Sequence, residues 1–532
     1  MPAIPVRALD PDPAAAAPAT LAPVEVELKF SIPPEAARKL GRLPEVRAAA
    51  TGRAVTRRMR SIYYDTPDQA LRARGMGLRL RREGSRWIQS LKRAGTIEGG
   101  LHRREEHETP VPAQLLDYPA LAQHGLAELT ASAAERDRLQ PVFTCEFTRT
   151  ARRLALAPAS QIELTLDRGT ILAGEAAEPV SEIELELKAG DAQPLLDFAQ
   201  RLIEHLPLRL EPRSKAERGY DLIDRRAAEP VKATAPALHS DMSLTAALRS
   251  IVFGCVAQLQ ANEAGMLAAA EPEYLHQGRV ALRRLRSAFS LFRRAFPRAG
   301  YEDVLEALRW LSERLGPARD WDVFVLTTLP QVSQALGNEA AVHTLTQRAQ
   351  ALRAAAGQQA MDALASRRYT AFLLGLNSLF SRQPWLALQN ETAQALRGWP
   401  LRQYASDVLS RRHRKVTKRG RGHAALDASG LHALRIEIKK LRYAAEFFSA
   451  LYERKPVRAY STALAALQDL LGALNDAAAV ERLCAVLREG EVDASQHEAI
   501  GAVRGWAAAT ARDHLERLPQ AWKRFRAADT FW

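Results

Sequence analysis

The stretch Val24-Glu25-Val26-Glu27-Leu28-Lys29-Phe30 decides how the first part of this chain is interpreted. Apolar and charged residues alternate along it with a period of two, which is the pattern of a half-buried β-strand. The two glutamates and the lysine therefore share one face, and alternate apolar side chains share the other. For an isolated strand, a row of charges on one face is most simply explained as a solvated surface.

The same alternation returns later in the chain, and this weakens the solvated-surface explanation. Glutamates alternate with apolar residues in 182–188, a similar pattern occupies 161–167, and arginines take the charged positions in 77–82. Carboxylates on some strands and arginines on others predict a closed antiparallel barrel with a charged interior. Such an interior suits a polyanion that is held by arginines and divalent cations.

A chain of 532 residues with 47% hydrophobic and 26% charged residues has the composition of a globular protein of two or three domains. Its formal net charge of +14 predicts an acidic partner, such as nucleic acid, an anionic membrane surface or polyphosphate. The three cysteines, Cys145, Cys255 and Cys484, form no CxxC pair, which favours a reducing compartment. No run of about 18 uninterrupted apolar residues occurs, so we expect a cytoplasmic protein without membrane insertion.

The periodicity of the chain changes once, after a proline- and alanine-rich stretch, and this change predicts two domains. We expect antiparallel β-structure with helical insertions first and helices afterwards, with residues 240–532 folding independently. The pattern separates strands near 142–149 and 152–157, and helices near 301–315 and 320–336. The predicted segments are a disordered Ala- and Pro-rich tail at 1–23, a β domain at 24–226, a linker at 227–241 and a helical domain at 242–520.

The helical part contains a duplicated motif. The sequence His276-x-x-Arg279-x-x-x-Arg283-Arg284-Leu285-Arg286 recurs as His432-x-x-Arg435-x-x-x-Lys439-Lys440-Leu441-Arg442, displaced by 156 positions. A constant offset without gaps predicts two related helical bundles, with repeats near 243–397 and 399–520. The same displacement relates further landmarks: Phe292 to Phe448, Leu311 to Leu467, Leu315-Gly316 to Leu471-Gly472, and Asp320 to Asp476.

Each copy of the motif places its basic residues on one helix face, because positions 0, +3, +7 and +10 fall within about 80° of one another. Solvated faces normally mix charges of both signs, so a bound polyanion explains these faces better. Residues 401–420 likewise carry seven Lys/Arg against Asp407 alone. We expect the two faces to meet across a pseudo-twofold axis, with Phe292 and Phe448 packed at its centre. We call them the first stripe, His276, Arg279, Arg283 and Arg286, and the second stripe, His432, Arg435, Lys439 and Arg442.

Two sets of motifs resemble known domain families. The duplicated HxxRxxx[RK][RK]LR helices resemble the CHAD domain. The order of the two domains is similar to that of bacterial inorganic triphosphatases, and the resemblance covers residues 24 to about 520. The motifs that resemble the CYTH domain of triphosphate tunnel metalloenzymes are the ExExK strand, Tyr63-Tyr64-Asp65-Thr66-Pro67, Gly75-Met76-Gly77-Leu78-Arg79, Leu101-His102-x-Arg104-x-Glu106 and Ser214-Lys215-Ala216-x-Arg218-Gly219-Tyr220.

The resemblance implies an eight-stranded antiparallel β tunnel that hydrolyses a triphosphate with Mg²⁺ or Mn²⁺, followed by an all-α domain of two duplicated helical bundles. Asp167 takes a further charged tunnel position, and Arg58 and Arg60 are additional basic candidates. The residues implied to hold metal are Glu25 and Glu27, together with Glu106 and two of the three acids Glu182, Glu184 and Glu186, which share one strand face. The implied catalytic residues are Glu25, Glu27, Lys29 and Glu106. The residues implied to grip phosphoryl oxygens are Lys29, Arg79, Arg81, Lys92, Arg104, Arg149 and Lys215.

The resemblance also implies that the two stripes bind inorganic polyphosphate, and it suggests association with polyphosphate granules. Trp and Tyr do not alternate with the basic residues, so a base-stacking platform is not evident and nucleic acid is the less expected partner. Two alternatives remain open. One is a non-catalytic protein that binds or anchors polyphosphate. The other is a CYTH enzyme that acts on ATP, as an adenylate cyclase, or on thiamine triphosphate.

Overall fold

A computed structural model describes residues 24–224, 229–336, 340–489 and 493–532. The tail predicted at 1–23 and part of the predicted linker lie outside the described residues. The β-strands of the described part are β1 Val24–Ser31, β2 Val55–Asp65, β3 Met76–Glu83, β4 Arg86–Arg93, β5 Thr96–Glu98, β6 Leu101–Val111, β7 Gln140–Leu156, β8 Ser160–Ala173, β9 Ala176–Ala189 and β10 Arg209–Leu210.

Eight of these strands form a closed antiparallel barrel, which confirms the predicted fold of the first domain. The strand order is β1-β9-β8-β7-β2-β3-β4-β6, and pairing of β6 with β1 closes the ring. The two short strands lie outside the ring, where β10 pairs with β1 and β5 pairs with β6. In a closed barrel, side chains at alternate positions of every strand face one common interior.

Strand β7 is longer than the sequence pattern predicts. The predicted break between 149 and 152 is absent, because Thr150 pairs with Thr56 of β2 on one side and with Leu166 of β8 on the other. Gly169 does not interrupt β8 either. A Cβ atom there would lie 2.0 Å from the Glu146 carbonyl oxygen, so this glycine permits the close approach of β7.

Helices cover the second domain and also connect strands in the first. Short 3₁₀ and π turns separate several of them. The helices are α1 Pro34–Ala37, α2 Pro44–Ala49, α3 Ala70–Ala73, α4 Tyr118–Leu121, α5 Ala127–Thr130, α6 Ala133–Asp137, α7 Ala192–His205, α8 Lys215–Asp224, α9 Leu244–Ala261, α10 Glu263–Leu267, α11 Pro272–Phe292, α12 Glu302–Val323, α13 Leu329–Ala335, α14 Ala340–Ala365, α15 Arg367–Arg382, α16 Glu391–Arg397, α17 Leu401–Gly420, α18 Ala428–Phe448, α19 Arg454–Leu487 and α20 Ala494–Ala527.

The helical domain repeats itself with the predicted offset. Helix α18 begins and ends 156 residues after α11, and α9, α12 and α14 have counterparts in α17, α19 and α20. The ring centroids of Phe292 and Phe448 lie 5.9 Å apart where the two halves meet, which confirms their predicted packing. The predicted break in α12 is wrong, because the helix continues through Pro317. Leu315 and Trp321, both buried, keep its apolar face continuous across that proline.

Helix α9 is long and apolar enough, by length and composition, to cross a membrane. In this structure 61% of it is buried inside the protein. Its buried side chains, among them Leu248, Val252 and Cys255, belong to the hydrophobic core and pack with α11. This is the environment of a core helix.

One hydrophobic core extends through both domains. It includes Phe30 of the barrel and Phe253 of helix α9. Polar contacts cross the same boundary, since the Thr370 hydroxyl donates to the Leu208 carbonyl oxygen at 2.9 Å. Separating the domains would expose this apolar surface to water, at a cost of about 25 cal/mol for each Å². That residues 240–532 fold independently stays a prediction, and this shared core is an argument for mutual dependence of the two domains.

Candidate functional site

Both faces of strand β1 are buried, so its row of charges is not a solvated surface. Glu27 and Lys29 are 3% and 5% exposed and line the barrel interior. Leu28 and Phe30 have no exposed surface and belong to the hydrophobic core outside the barrel. The charges of this strand thus lie in an enclosed space, where electrostatic interactions are stronger than in water.

The barrel encloses a cavity of about 950 Å³ that is lined by charges of both signs. Six strands and helix α8 contribute the predicted residues, so side chains distant in sequence converge on one space. The predicted cations that line it are Lys29, Arg79, Arg81, Lys92, Arg104, Arg149 and Lys215. The predicted acids that line it are Glu25, Glu27, Glu106, Glu184 and Glu186.

Two basic candidates on strand β2 lie outside the cavity. Arg58 and Arg60 are exposed on the outer face of the barrel, where Arg60 pairs with Glu146 at 3.2 Å. Arg57, which the sequence analysis missed, lines the cavity together with Met59. Successive residues of a strand point to opposite faces, so Arg57 faces the cavity while Arg58 and Arg60 face outward. The sequence pattern did not show which of the two sets points inward.

The cavity contains further charges that the sequence analysis did not identify. Some of them could have been found by extending the alternation along the strand, as for Glu108, which follows Glu106 by two positions. Others come from turns and strand ends, where no periodic pattern marks them. Besides Arg57, the missed residues are Arg53, Arg72, Arg93, Arg152, Arg153, Lys188, Glu83, Glu108, Glu163, Glu217 and Asp221.

In this structure the cations of the cavity form ion pairs with its carboxylates. The Lys92 ammonium lies 2.6 Å from a Glu25 oxygen and 3.0 Å from a Glu106 oxygen. The other Glu106 oxygen lies 3.2 Å from the Arg79 guanidinium. A triphosphate entering the cavity would offer these cations better acceptors, and the carboxylates would then be released to hold another cation.

Helix α8 inserts Lys215 among three buried acids. Its Nζ lies 2.9 Å from Asp167, 2.6 Å from Glu182 and 2.8 Å from Glu184. Burial alone would lower the pKa of Lys215, but these carboxylates raise it well above the usual range. The acidic oxygens lie within 4.8 Å of one another, a spacing that could suit a metal ion. Arg149 also pairs with Asp167 and Glu184, and Arg218 pairs with Glu182, so three cations already neutralise the three acids. Since Glu182 moreover does not line the cavity, we assign this group to holding Lys215.

The residues after Lys215 fix the position of helix α8. A Cβ atom at Gly219 would lie 2.2 Å from the ring of Phe143, so only glycine permits this close packing. The Tyr220 hydroxyl donates to a carboxylate oxygen of Asp65 at 2.6 Å. Asp65 has no exposed surface and also accepts backbone N–H groups of the turn that follows it. Two motifs far apart in sequence thus position Lys215 together.

Three acids near strand β1 are each paired with a lysine: Glu25 with Lys92 at 2.6 Å, Glu27 with Lys29 at 2.9 Å and Glu186 with Lys188 at 2.5 Å. Glu27 and Glu186 are directly opposite on β1 and β9, an arrangement that is unfavourable for like charges. Burial raises the pKa of Glu25 to about 7, against the opposing effect of Lys92. Burial also raises the pKa of Glu186. Glu25, Glu27 and Glu186 form an all-oxygen donor set that would suit a hard divalent cation once their lysine partners bind another anion.

The two stripes of the helical domain lie on α11 and α18, which contact each other. Burial, together with the nearby charges of Arg435 and Arg283, lowers the pKa of Lys439 to about 7. The charge of Arg283 likewise helps to lower the pKa of Arg435, after the effect of burial. Arg283 belongs to the first stripe and the other two residues to the second. Residues of the two stripes therefore lie close together where α11 and α18 meet.

Few acids neutralise this surface. The Arg279 guanidinium lies 2.9 Å from an Asp320 oxygen. Among the residues that the structure describes, Arg283, Arg435 and Lys439 have no carboxylate within 4.0 Å. The Nε atoms of the two arginines are buried without a hydrogen-bond acceptor. An anion with many oxygens would supply the acceptors that the protein does not.

Comparison with known proteins relates each domain to a family. The CYTH domain family matches residues 24–220, and the CHAD domain family matches residues 250–485. An inorganic triphosphatase from Haemophilus influenzae is 40% identical over 166 residues, which are 30% of this chain. The chain spans 44% of the length of that relative. The crystal structure of the CHAD domain from the plant Ricinus communis is 31% identical, with a TM-score of 0.50, over 57% of this chain and 100% of that one.

Proposed function

We propose that this chain, which belongs to the CYTH family in its first domain and to the CHAD family in its second, hydrolyses inorganic triphosphate in the barrel and binds inorganic polyphosphate on its helices. The observation that carries the proposal is the enclosed cavity of about 950 Å³ lined by opposing cations and carboxylates. Phosphoryl transfer is catalysed mainly by positioning and by electrostatic stabilisation, and such a cavity supplies both.

The cations of the cavity bind and orient the substrate. Arg79 and Arg149 carry fixed, permanently charged donors that can contact two phosphoryl oxygens each. Lys92 exchanges its carboxylate partners, Glu25 and Glu106, for phosphoryl oxygens. This exchange couples substrate binding to the release of Glu25.

Glu25, Glu27 and Glu186 would hold the divalent cation, which neutralises phosphoryl charge and makes a water molecule more acidic when it is bound. In the reaction the water oxygen forms a bond to a terminal phosphorus, and the bridging P–O bond to that phosphorus breaks. A carboxylate of the same cluster accepts the proton that the water loses. Lys29 and Arg104 stabilise the charge on the departing oxygen, and the products are phosphate and diphosphate.

A comparison of substrates tests the reaction directly. We expect phosphate release from inorganic triphosphate to exceed that from ATP, thiamine triphosphate and long-chain polyphosphate, with either Mg²⁺ or Mn²⁺ present. A chelator should abolish the activity, because no divalent cation would then neutralise phosphoryl charge or make the attacking water more acidic. Faster turnover of ATP or thiamine triphosphate would contradict the proposed substrate. Absence of turnover with all four would leave only the binding function.

The helical domain is expected to prefer polyphosphate to RNA. Its stripes offer many cations but no regular array of aromatic rings on which bases could stack. In side-by-side titrations of the full chain, long-chain polyphosphate should bind more tightly than single-stranded RNA of similar charge. Binding should weaken steeply with salt, since counterions are released. Equal or tighter RNA binding would place the domain among nucleic-acid-binding proteins.

Lys439 should make the polyphosphate affinity depend on pH. Its pKa is about 7 because of burial, Arg435, Arg283 and Arg442, which outweigh Asp476. Bound phosphates favour the charged ammonium and raise this pKa. Below pH 7 the ammonium is charged in both states. Above pH 7 binding must take up a proton, so the affinity falls by at most about tenfold per pH unit.

The matched control for this pH dependence is Lys439→Arg, which remains charged throughout the range. Affinity measured from about pH 6 to about pH 9 should fall for the wild type and stay nearly level for the control. Identical slopes for the two proteins would show that another group titrates.

A further inference from the structure

Helix α17 carries a dense basic run to which the proposed function gives no role. Residues 401–420 contain seven Lys/Arg and the single acid Asp407. Asp407 pairs with Arg411 at 2.9 Å and with Arg294 at 3.3 Å. Asp407 therefore neutralises charge on one side of the helix only. The other basic residues of the run do not pair with it.

Four cations from three helices surround one carboxylate beside this run. We call them the α17 cluster: Arg293 at the end of α11, Arg412 and Lys415 of α17, and Lys440 of α18. Arg412 and Lys440 lie 3.3 Å and 3.0 Å from the two oxygens of Glu437. Arg293 and Lys415 are exposed and form no ion pair with any residue that the structure describes.

The members of the α17 cluster are close enough to repel one another. Burial lowers the pKa of Lys415, and Arg412, Arg293 and Lys440 lower it further while Glu437 opposes them. Burial lowers the pKa of Arg412, and the charge of Arg293 also helps to lower it. One glutamate leaves the group with a net positive charge. An anion bound there would relieve the repulsion.

The α17 cluster continues the first stripe along helix α11. Arg293 follows Arg286 by seven residues, which returns it to nearly the same face of the helix. Ser290 lies between them on that face, and its hydroxyl accepts a hydrogen bond from Arg412 at 3.3 Å. The basic surface thus passes from the stripes along α11 to α17 without leaving one side of the helix.

We propose that the α17 cluster extends the polyphosphate site, so that phosphate chains long enough to pass beyond the two stripes also contact Arg293, Arg412, Lys415 and Lys440. This inference rests on the proposed polyphosphate binding by the stripes. The ligand is a linear phosphate chain, because its charge repeats along its length and each added phosphate can meet a further cation. Chain length, rather than binding of a second molecule, then sets how much the cluster contributes.

The test uses the full chain with Arg293→Gln and Lys415→Gln combined, because both side chains are exposed and neither belongs to a stripe. The matched control combines Arg38→Gln and Lys39→Gln, which removes the same charge from exposed positions of the first domain. Affinity is measured against inorganic polyphosphates of graded length and at several salt concentrations. Hydrolysis of triphosphate is followed in parallel and should be unchanged in both variants.

For the α17 variant we expect the longest chains to bind about tenfold more weakly, with a salt dependence reduced by about one to two released ions. The shortest chains that bind should be unaffected, and the control should match the wild type at every length. Unchanged affinity for long chains, or the same loss at all lengths, would overturn the inference. If variants of the stripes themselves leave binding intact, the proposed polyphosphate function fails instead.

Discussion

Replacement of Glu27 by alanine is expected to lower kcat for triphosphate hydrolysis in the presence of Mg²⁺ by about 10² or more. Glu27 is 3% exposed, lies opposite Glu186 and sits 2.9 Å from the Lys29 ammonium. Lys29 holds the pKa of Glu27 at about 2, although burial opposes it, so this carboxylate stays charged at neutral pH. Its removal takes away a permanent negative charge where the divalent cation is proposed to bind.

Glu184→Ala provides the second arm of this experiment, and Glu146→Ala provides the control. Glu184 contacts Lys215 at 2.8 Å inside the barrel, whereas Glu146 is exposed outside it. Thermal unfolding should be recorded for each variant, since breaking a buried ion pair can cost about 3–5 kcal/mol of stability. Wild-type rates for both folded Glu27→Ala and Glu184→Ala would refute the catalytic role of the cavity.

Loss of either stripe is expected to weaken the binding of long-chain polyphosphate by about 10². The variants are Arg279→Ala with Arg283→Ala, and Arg435→Ala with Lys439→Ala. A chain that binds one stripe presents its next phosphates to the other at high effective concentration, so both stripes contribute to one affinity. Short chains that reach a single stripe should bind much less tightly from the start.

The measurement is affinity and stoichiometry against chain length for the wild type and both double variants. The combined Arg38→Gln and Lys39→Gln protein again controls for net charge. If each stripe variant only halves the number of sites and keeps the remaining affinity, the stripes act separately. A common loss of affinity at constant stoichiometry would establish one site.

The sequence was most informative where periodicity determines which face a side chain occupies. The alternation in β1 and β9 placed Glu27 and Glu184 in one interior, because successive strand residues must point to opposite sides. The constant offset of 156 residues predicted the pairing of α11 with α18, because it identified the two helices as copies of one motif. In both cases a local pattern repeats, and the fold brings the repeats together.

The sequence was least informative where a distant element decides the role of a residue. Glu182, Glu184 and Glu186 share one strand face, yet Glu182 is neutralised by Lys215 from helix α8. No local pattern could distinguish it from Glu186. Arg57 was missed because the parity of β2 depends on its register against β3 and β7.

Both domains share one hydrophobic core, and we therefore expect the chain to unfold as one cooperative unit. Polar contacts also join the two domains. Arg209 of β10 pairs with Glu263 at 2.6 Å, and Glu263 accepts a hydrogen bond from the Tyr369 hydroxyl at 2.9 Å. Strand β10 is in turn hydrogen-bonded to the strand that carries Glu27 and Lys29. Heating should therefore produce a single calorimetric transition, and limited proteolysis should not release two stable halves. The strand that carries Glu27 and Lys29 is thus held in place partly by contacts with the helical domain.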